Sequence, residues 1–562
     1  MSPSPGFGAG HSGVLQLELE RLLNTGRVLY VAAHPDDENT RFISYHASAG
    51  RYRVAYLSVT RGDGGQNRIG TEIGDHLGVV RSMELGRARS IDGGEQFFTR
   101  SSDFGYSKSS KESLEVWGHE KVLSDVVWVV RKFRPHVIVT RFPEEGRTHG
   151  HHLASAILAH EAFEAAGDGT RFPEQLDEVQ PWSAERLLYN QPSWWRQPDA
   201  KSDVIHDVGD YIAQLGMNIP EIAAVSRTSH KSQGFGSMAR YDRTTEYYVT
   251  VAGSKPTDDL FSGIDTRWSA VPGGAEVGRR LSRAVAAFDP AKPSTAIPEL
   301  VKALRALDSV KDVPLREETK GRLGELIARC AGLRATLRAA GPTVVPGSAL
   351  SLNVDIALQG QGEFVSGDLL LNGRVLEGGA ITGPRSELTV NVPDSSRVSE
   401  IDWLADSPRP TQWSGLGSHP FTAQLRIKVA GVNLSVERPV VFANVDPVQG
   451  ERAQTVRVEP AVTVTPLQPI TTLVGAEPRV VTFRARANEN AATAQFSLSV
   501  PEGVRAIPES HPLNFGRAGE QQLLSFELIA DGGSEVGQVT PIVDGTPAWS
   551  RTVIDYPHLA PT

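Results

Sequence analysis

The stretch RVLYVAAHPDDE, Arg27 to Glu38, narrows the folds open to this chain more than any other. Val28 to Ala33 is a short, uninterrupted apolar run, which fits a strand buried on both faces, as in a parallel sheet. Pro35 ends that strand and presets the dihedral of a first helical turn. His34, Asp36, Asp37 and Glu38 therefore sit where a buried strand opens into a helix, the edge at which open α/β sheets bind ligands. Ionisable groups next to a buried strand are costly unless something pairs them. A divalent metal would pair them, and imidazole with carboxylate suits zinc, iron or manganese. The alternative at this point is a solvated turn whose aspartates are favoured by the helix dipole.

A second stretch bears on the choice. Pro135 to Thr140 (PHVIVT) is β-branched enough for another strand. It runs through Arg141-Phe142-Pro143 into Glu144-Glu145-Gly146-Arg147-Thr148-His149-Gly150-His151-His152, and an alanine-rich helix follows over Leu153 to Ala166. His149 and His152 lie three apart at the start of that helix, so they share one face. If the two strands are neighbours in a parallel sheet, their carboxyl ends bring both clusters to one site.

AHPDDE followed far downstream by HxxH resembles the LmbE/PIG-L deacetylases, zinc hydrolases that remove acetyl groups from N-acetylglucosamine-type amides. Further parts match: Ser58-Val59-Thr60-Arg61-Gly62 is similar to the family's turn after the second strand, Arg81 to Leu85 to its RxxEL helix, and His230-Lys231-Ser232-Gln233 to its HxSQ element. The resemblance covers roughly the first half of the chain. It implies an α/β fold, a Rossmann-like domain with a mostly parallel sheet. It implies a metal on His34, Asp37 and His152, as Zn2+ with Fe2+ or another divalent metal as substitutes. It leaves Asp36 as general base, a role that spacing alone does not separate from that of Asp37. His149 would stabilise the tetrahedral intermediate or protonate the leaving amine. Arg81 reads either as a surface arginine bonded to a neighbouring carboxylate or, by resemblance, as one aimed at the site; His151 and His230 are further candidate substrate contacts. One departure matters: the family often has Asp between the two histidines, where this chain has His151, so a carboxylate that would orient His149 or His152 is missing there, and Glu144 or Glu145 could substitute.

The implied substrate is an N-acetylated amino sugar or glycoconjugate. Two alternatives stay open: an amidase of a thiol-sugar conjugate, and a non-catalytic glycan-binding protein with a relic metal site. Composition excludes other classes. The net charge is −9, from 57 basic against 66 acidic residues, and no Lys/Arg block suggests a nucleic-acid or anionic-membrane partner. Cys330 is the single cysteine, which excludes an intrachain disulfide and a cysteine-rich metal site. No apolar run is long enough for a membrane span. The N-terminal MSPSPGFGAGHSG has neither a basic n-region nor an apolar h-region, so the chain as written is expected in the cytoplasm, or in the periplasm or medium if the N-terminus is incomplete. Oligomeric state is not readable.

At 562 residues the chain is too long for one ordinary domain. The pattern divides it into a disordered 1–13, a catalytic domain over 14–279, a helical linker or subdomain over 280–341, and β-sandwich domains over 342–446 and 447–562, where short alternating runs recur between Pro and Gly. Within this scheme Asp92 to Ser110 reads as an irregular binding loop, Glu112 to Phe133 as one long helix, and Ile212 to Arg227 and Arg322 to Ala339 as helical. Pro192-Ser193-Trp194-Trp195 breaks the pattern after a strand. The glycine-rich loop Arg61 to Asn67 lacks GxGxxG spacing, so it is a rim over the site or a plain turn rather than a nucleotide loop.

Overall fold

The computed structural model describes residues 11–192, 201–239, 241, 244–360, 362–401, 403–404, 410–413, 419–474, 477–530 and 537–562. Most of the expected disordered N-terminus, and Ser193, Trp194 and Trp195, lie outside them.

After α1 (Ser12–Arg21) the chain alternates through β1 (Arg27–Ala32), α2 (Thr40–Ser48), β2 (Arg53–Ser58), α3 (Asp75–Asp92), β3 (Glu95–Phe98), α4 (Ser110–Trp117), α5 (His119–Phe133), β4 (Val137–Thr140), α6 (Gly150–Ala165) and β5 (Arg186–Gln191). The strands pair in parallel in the order β3-β2-β1-β4-β5. β1 is buried at every position: Val28 to Ala32 are apolar on both faces, and Arg27 donates to the Phe133 carbonyl (2.8 Å). Leu29 and Val31 join the α5 and α6 side of the core with Val126 and Leu158, while Val28 and Tyr30 pack on the other side with Phe42 and Ile43. Strand order reverses at β1, so a crevice opens at the carboxyl ends of β1 and β4. β6 (Val204–Asp207) lies at one edge; β7 (Tyr211–Ile212) and β8 (Met217–Asn218) form a short hairpin ahead of α7 (Ile219–Arg227); β9 (Thr245–Gly253) runs antiparallel between β5 and β6.

Three expectations need correction here. The supposed irregular loop Asp92 to Ser110 contains β3, whose Phe97 and Phe98 are core residues. The single helix over Glu112 to Phe133 is two, divided at Gly118, whose φ of +74° no helix accommodates. The helix expected over Ile212 to Arg227 starts only at Ile219, where Asn218 and Glu221 form a capping box and Pro220 suits the first turn.

α8 (Ala275–Ala287), α9 (Ile297–Ala306) and α10 (Val313–Cys330) follow. α10 stops where Gly332 turns left-handed at φ +74°. Residues Arg334–Ala339, expected as helix, are therefore strand β10. Then come β11 (Thr343–Val344), β12 (Ala349–Ala357), β13 (Gly362–Leu371), β14 (Arg374–Ile381), β15 (Arg385–Asn391), β16 (Thr411–Trp413), β17 (Phe421–Val429), β18 (Val432–Asp446), β19 (Gly450–Thr455) and β20 (Arg457–Val458). The long β18 bonds β17 along its first part and β10 and β19 along its second, so the order is β14-β13-β17-β18-β10-β12-β15. β11 pairs with β20. β16 instead leaves to pair antiparallel with β3, at the edge of the first sheet.

The last strands are β21 (Val462–Pro466), β22 (Arg479–Ala487), β23 (Thr493–Ser499), β24 (Val504–Ile507), β25 (Ser510–Asn514), β26 (Gln521–Ala530), β27 (Thr540–Val543) and β28 (Thr546–Pro547). They form two four-stranded sheets around Phe483, Phe496 and Phe526. The α/β fold followed by sandwich-like sheets is as expected. After β28 the chain returns to α3, where Ile554 and Leu559 pack on Val80 and Met83. Among the described residues no helix is long and apolar enough to cross a membrane.

Candidate metal and active site

The turn after β1 is built by its own side chains. The His34 amide donates to Asp37 Oδ2 (2.8 Å), His34 Nδ1 lies 3.0 Å from the same oxygen, and Tyr56 donates its hydroxyl to the His34 carbonyl (2.6 Å). Asp37 Oδ1 is 3.5 Å from His152 Nε2. His152 arrives from α6, its ring stacked at 3.8 Å on Phe142 and its Nδ1 2.9 Å from Thr148 Oγ1. His34, Asp37 and His152 thus bring one donor atom each within 4.8 Å of one another, and so do His34, His149 and His151. The two clusters, more than a hundred residues apart in the chain, meet because β1 and β4 are parallel neighbours.

Both sets share His34, and the bonding around His151 distinguishes them. His34 Nε2 lies 3.0 Å from His151 Nδ1. His151 is fully buried between the rings of Phe104 and Trp117, and burial first, then the neighbouring imidazoles, hold its pKa down at about 2. His34 Nδ1 faces Asp37 Oδ2 and its Nε2 faces His151 Nδ1, so these two contacts fix the plane of the His34 ring whichever of the two imidazoles donates. His151 thereby orients His34 rather than His149 or His152. His149 caps α6, its Nδ1 accepting the His151 amide at 3.2 Å, so the neutral ring carries its proton on Nε2.

The adjacent carboxyls are driven apart. Burial and the adjacent Asp37 raise Asp36 to about 7. Burial alone would also raise Asp37, but His152 and the bonds from His34 pull it below the ordinary carboxylate range. Burial holds His152 down at about 4. Burial opposes charge on His34 too, yet the Asp37 carboxylate reverses the sign and raises it. An ionised carboxylate beside neutral imidazole is the donor chemistry a divalent cation takes, so the set fits one. Asp36 has φ +95°, rare for a residue with a side chain; its amide donates to Glu38 Oε2 (2.9 Å), and Arg227 donates to its carbonyl (2.9 Å).

The other expected residues brace this turn. Arg81 donates to the carbonyls of Gly62 (2.8 Å) and Gln66 (3.0 Å), so it pins the glycine-rich loop. His230, expected as a substrate contact, is fully buried with Nε2 2.7 Å from Glu38 Oε1, and His151 is equally enclosed; neither offers a surface to substrate. Burial alone would raise Glu38, but His230 and Arg89 lower it to about 2. Ser232 donates twice to Glu84 (2.8 and 2.6 Å), and Gln233 donates to the Pro35 carbonyl.

Sequence reasoning missed Asp103 and the aromatic rim. Asp103 lies 3.7 Å from His151 and 4.0 Å from His34, and nothing in its local sequence marked it. Tyr106 is exposed 4.9 Å from His149, and Phe104 borders His151; the aromatic, polar composition of 92–110 was their only signal.

Residues 29–163 match the PIG-L family, described as GlcNAc-PI de-N-acetylase. A 1D-myo-inositol 2-acetamido-2-deoxy-alpha-D-glucopyranoside deacetylase of Kineococcus radiotolerans is 34% identical over 27% of this chain and 49% of its own. One from Rhodococcus opacus is 30% identical over 29% of this chain and 60% of its own. A mycothiol S-conjugate amidase of Streptomyces coelicolor is 27% identical over 29% of this chain and 60% of its own. The chain thus spans about half to three fifths of the length of these relatives. Among solved structures, N,N'-diacetylchitobiose deacetylase from Pyrococcus horikoshii aligns at 19% identity with a TM-score of 0.28, over 40% of this chain and 78% of its own, a likeness too low to carry an argument. Over residues 29–163 this chain is a PIG-L (LmbE) family domain.

Proposed function

We propose that the chain is a zinc-dependent hydrolase that removes the acetyl group from an N-acetylated amino sugar or glycoconjugate. The observation behind this reading is the convergence of His34, Asp37 and His152 within 4.8 Å, with Asp36 in the same turn. These three would hold the cation; imidazole and carboxylate suit Zn2+, with Fe2+ or another divalent ion as substitutes. When bound, the cation supplies Lewis acidity, polarising the amide carbonyl and lowering the pKa of water. Asp36 takes the proton of the attacking water, and its pKa near 7 suits a base that must afterwards release that proton. His149, with its proton on Nε2, donates to the developing oxyanion or to the departing amine. Tyr106 and Phe104 give a sugar ring aromatic faces at the mouth.

The test combines metal analysis with acetate release across mono-, di- and polymeric N-acetyl sugars. Asp36→Asn is expected to retain metal and lower kcat by roughly 100- to 10,000-fold. An unchanged rate overturns the assignment of the base, and a chain that retains neither zinc nor iron overturns the enzyme reading in favour of a glycan binder with a relic site. The amidase relative supports a second reading, cleavage of a thiol-sugar conjugate by the same residues; release of the amine from such a conjugate without acetate release from any N-acetyl sugar would select it.

A further inference from the structure

The glycine-rich loop between β2 and α3 touches both walls of the site's mouth. Asp63 Oδ1 accepts the Asp103 amide (3.1 Å). A side chain on Gly64 would run into the Asp103 carbonyl and the Gly105 amide, so the glycine lets the two backbones meet. That contact sets the piece of chain that carries Phe104 and Tyr106, whose rings border His151 and His149. On the other wall the Arg68 amide donates to the Ser232 carbonyl (2.8 Å), next to Gln233, which bonds the Pro35 carbonyl. Beyond Arg68 the loop exposes Ile69 (43%) and Ile73 (75%), so its own apolar residues do not anchor it. The anchor comes from the chain after β28. Tyr556 donates its hydroxyl to Glu72 Oε2 and accepts from Asn67 Nδ2 (3.1 Å), and Asn67 Nδ2 also donates to Glu72 (2.8 Å). Asn67 Oδ1 accepts the amides of Ile69 and Gly70 (3.1 Å each), which closes the loop on itself. Tyr556 reaches this cluster because Gly70 has no side chain: a methyl group there would meet the Tyr556 hydroxyl and Glu72 Oε2. The far end of the tether is fixed in turn, since Arg452 of β19 holds Asp555 (2.5 Å) and Ile554 packs on α3.

We propose that Tyr556 is a positioning residue for the substrate mouth: through it the β-strand part of the chain holds the glycine-rich loop, and the loop holds the Phe104–Tyr106 wall. The substrate rests on the amino-sugar reading of the chain; the tether rests on the hydrogen bonds. Asn67, Glu72 and Tyr556 bond one another rather than Asp36, His149 or the expected metal ligands, so loosening them acts on binding and not on chemistry. Two variants of the zinc-loaded full chain reach the cluster from opposite sides. Tyr556→Phe removes the hydroxyl. Gly70→Ala keeps it and displaces it, and Gly70 is not in the left-handed region, so alanine suits its backbone. Each is expected to raise KM for acetate release from the most active N-acetyl sugar roughly three- to tenfold, about the worth of one hydrogen bond, with kcat and zinc content unchanged. The double variant should be no worse than the poorer single one, because both break one cluster. Trypsin should cut after the exposed Arg68 faster in both variants than in the parent. An unaltered KM, or a fall in kcat with KM unmoved, overturns the proposal, and Tyr556→Phe decides the matter if Gly70→Ala fails to fold. Failure of the amino-sugar reading would look different: no acetate from any sugar, the parent included. The cut after Arg68 then decides the tether, and cleavage no faster than in the parent overturns it.

Discussion

His151 stands where the resemblance to the LmbE/PIG-L deacetylases leads one to expect a carboxylate, and the imidazole alters how the neighbouring candidate ligand is held. A carboxylate would accept from a histidine as an anion; His151 meets His34 Nε2 as a neutral, fully buried ring, a weaker partner. Removing it should matter even though it touches no substrate. His151→Ala is expected to weaken metal retention roughly 10- to 100-fold in competition with a chromogenic chelator, and His151→Asp to restore or exceed the parent's affinity. If His151→Ala holds metal as tightly as the parent, the ring plays no orienting part. His34 and the Asp36-Asp37 pair were legible as candidates because they follow the short apolar strand β1; His152, twelve residues beyond β4, and the choice of Asp37 over Asp36 came from the family resemblance. The work of His151 was not legible, because it depends on which ring nitrogen meets His34 across the β1–β4 boundary, a contact that no local pattern encodes.

α3 links the site to the rest of the chain. Its Arg81 pins the glycine-rich loop, its Glu84 holds Ser232, and its far side takes Ile554 and Leu559. Glu84 is fully buried, and beside the two bonds from Ser232 it meets His558 Nε2 at 2.8 Å, brought in by the chain after β28. His558→Leu removes a hydrogen bond to a buried carboxylate, a loss of about 1.5–3 kcal/mol. A lower thermal midpoint with metal content unchanged is the expected result; an unshifted midpoint would show that Ser232 alone satisfies Glu84. Nothing in the spacing of RxxEL hinted at a partner so far along the chain. Other elements were half legible. The apolar periodicity of 112–133 runs through Gly118, and only the glycine itself signalled the break. Arg334 to Ala339 alternates like a strand, but its Ala and Arg content reads as helix, and pairing with β12 and β18 decides it.

On the scale of the whole molecule, one apolar core runs from Leu15 and Leu19 of α1 through Leu281, Leu300 and Leu326 to Leu352, Leu425 and Val440 of the β strands. Stability is then a property of the assembled chain, and buried histidines away from the metal centre contribute to its pH dependence. His46 on α2 is 1% exposed, both ring nitrogens lack hydrogen bonds, and Phe42, Tyr45, Tyr52 and His206 surround it. Burial, with a smaller push from His206, lowers its pKa from 6.5 to about 3. The unfolded chain therefore binds a proton below pH 6.5 that the folded chain refuses until near pH 3. The stability in question is fully present above pH 6.5 and declines as pH falls toward 3, with a slope of about 1.4 kcal/mol per pH unit from this residue. His136, lowered to about 4 mainly by burial, adds to the slope with the same sign. His46→Phe keeps an aromatic ring among the same neighbours and abolishes the titration. Denaturant unfolding of parent and variant at pH 7.5, 6.0 and 5.0 should show the two diverging as pH falls, the variant losing less. Parallel curves would mean that His46 is protonated in the folded state and that the enclosure around it admits water.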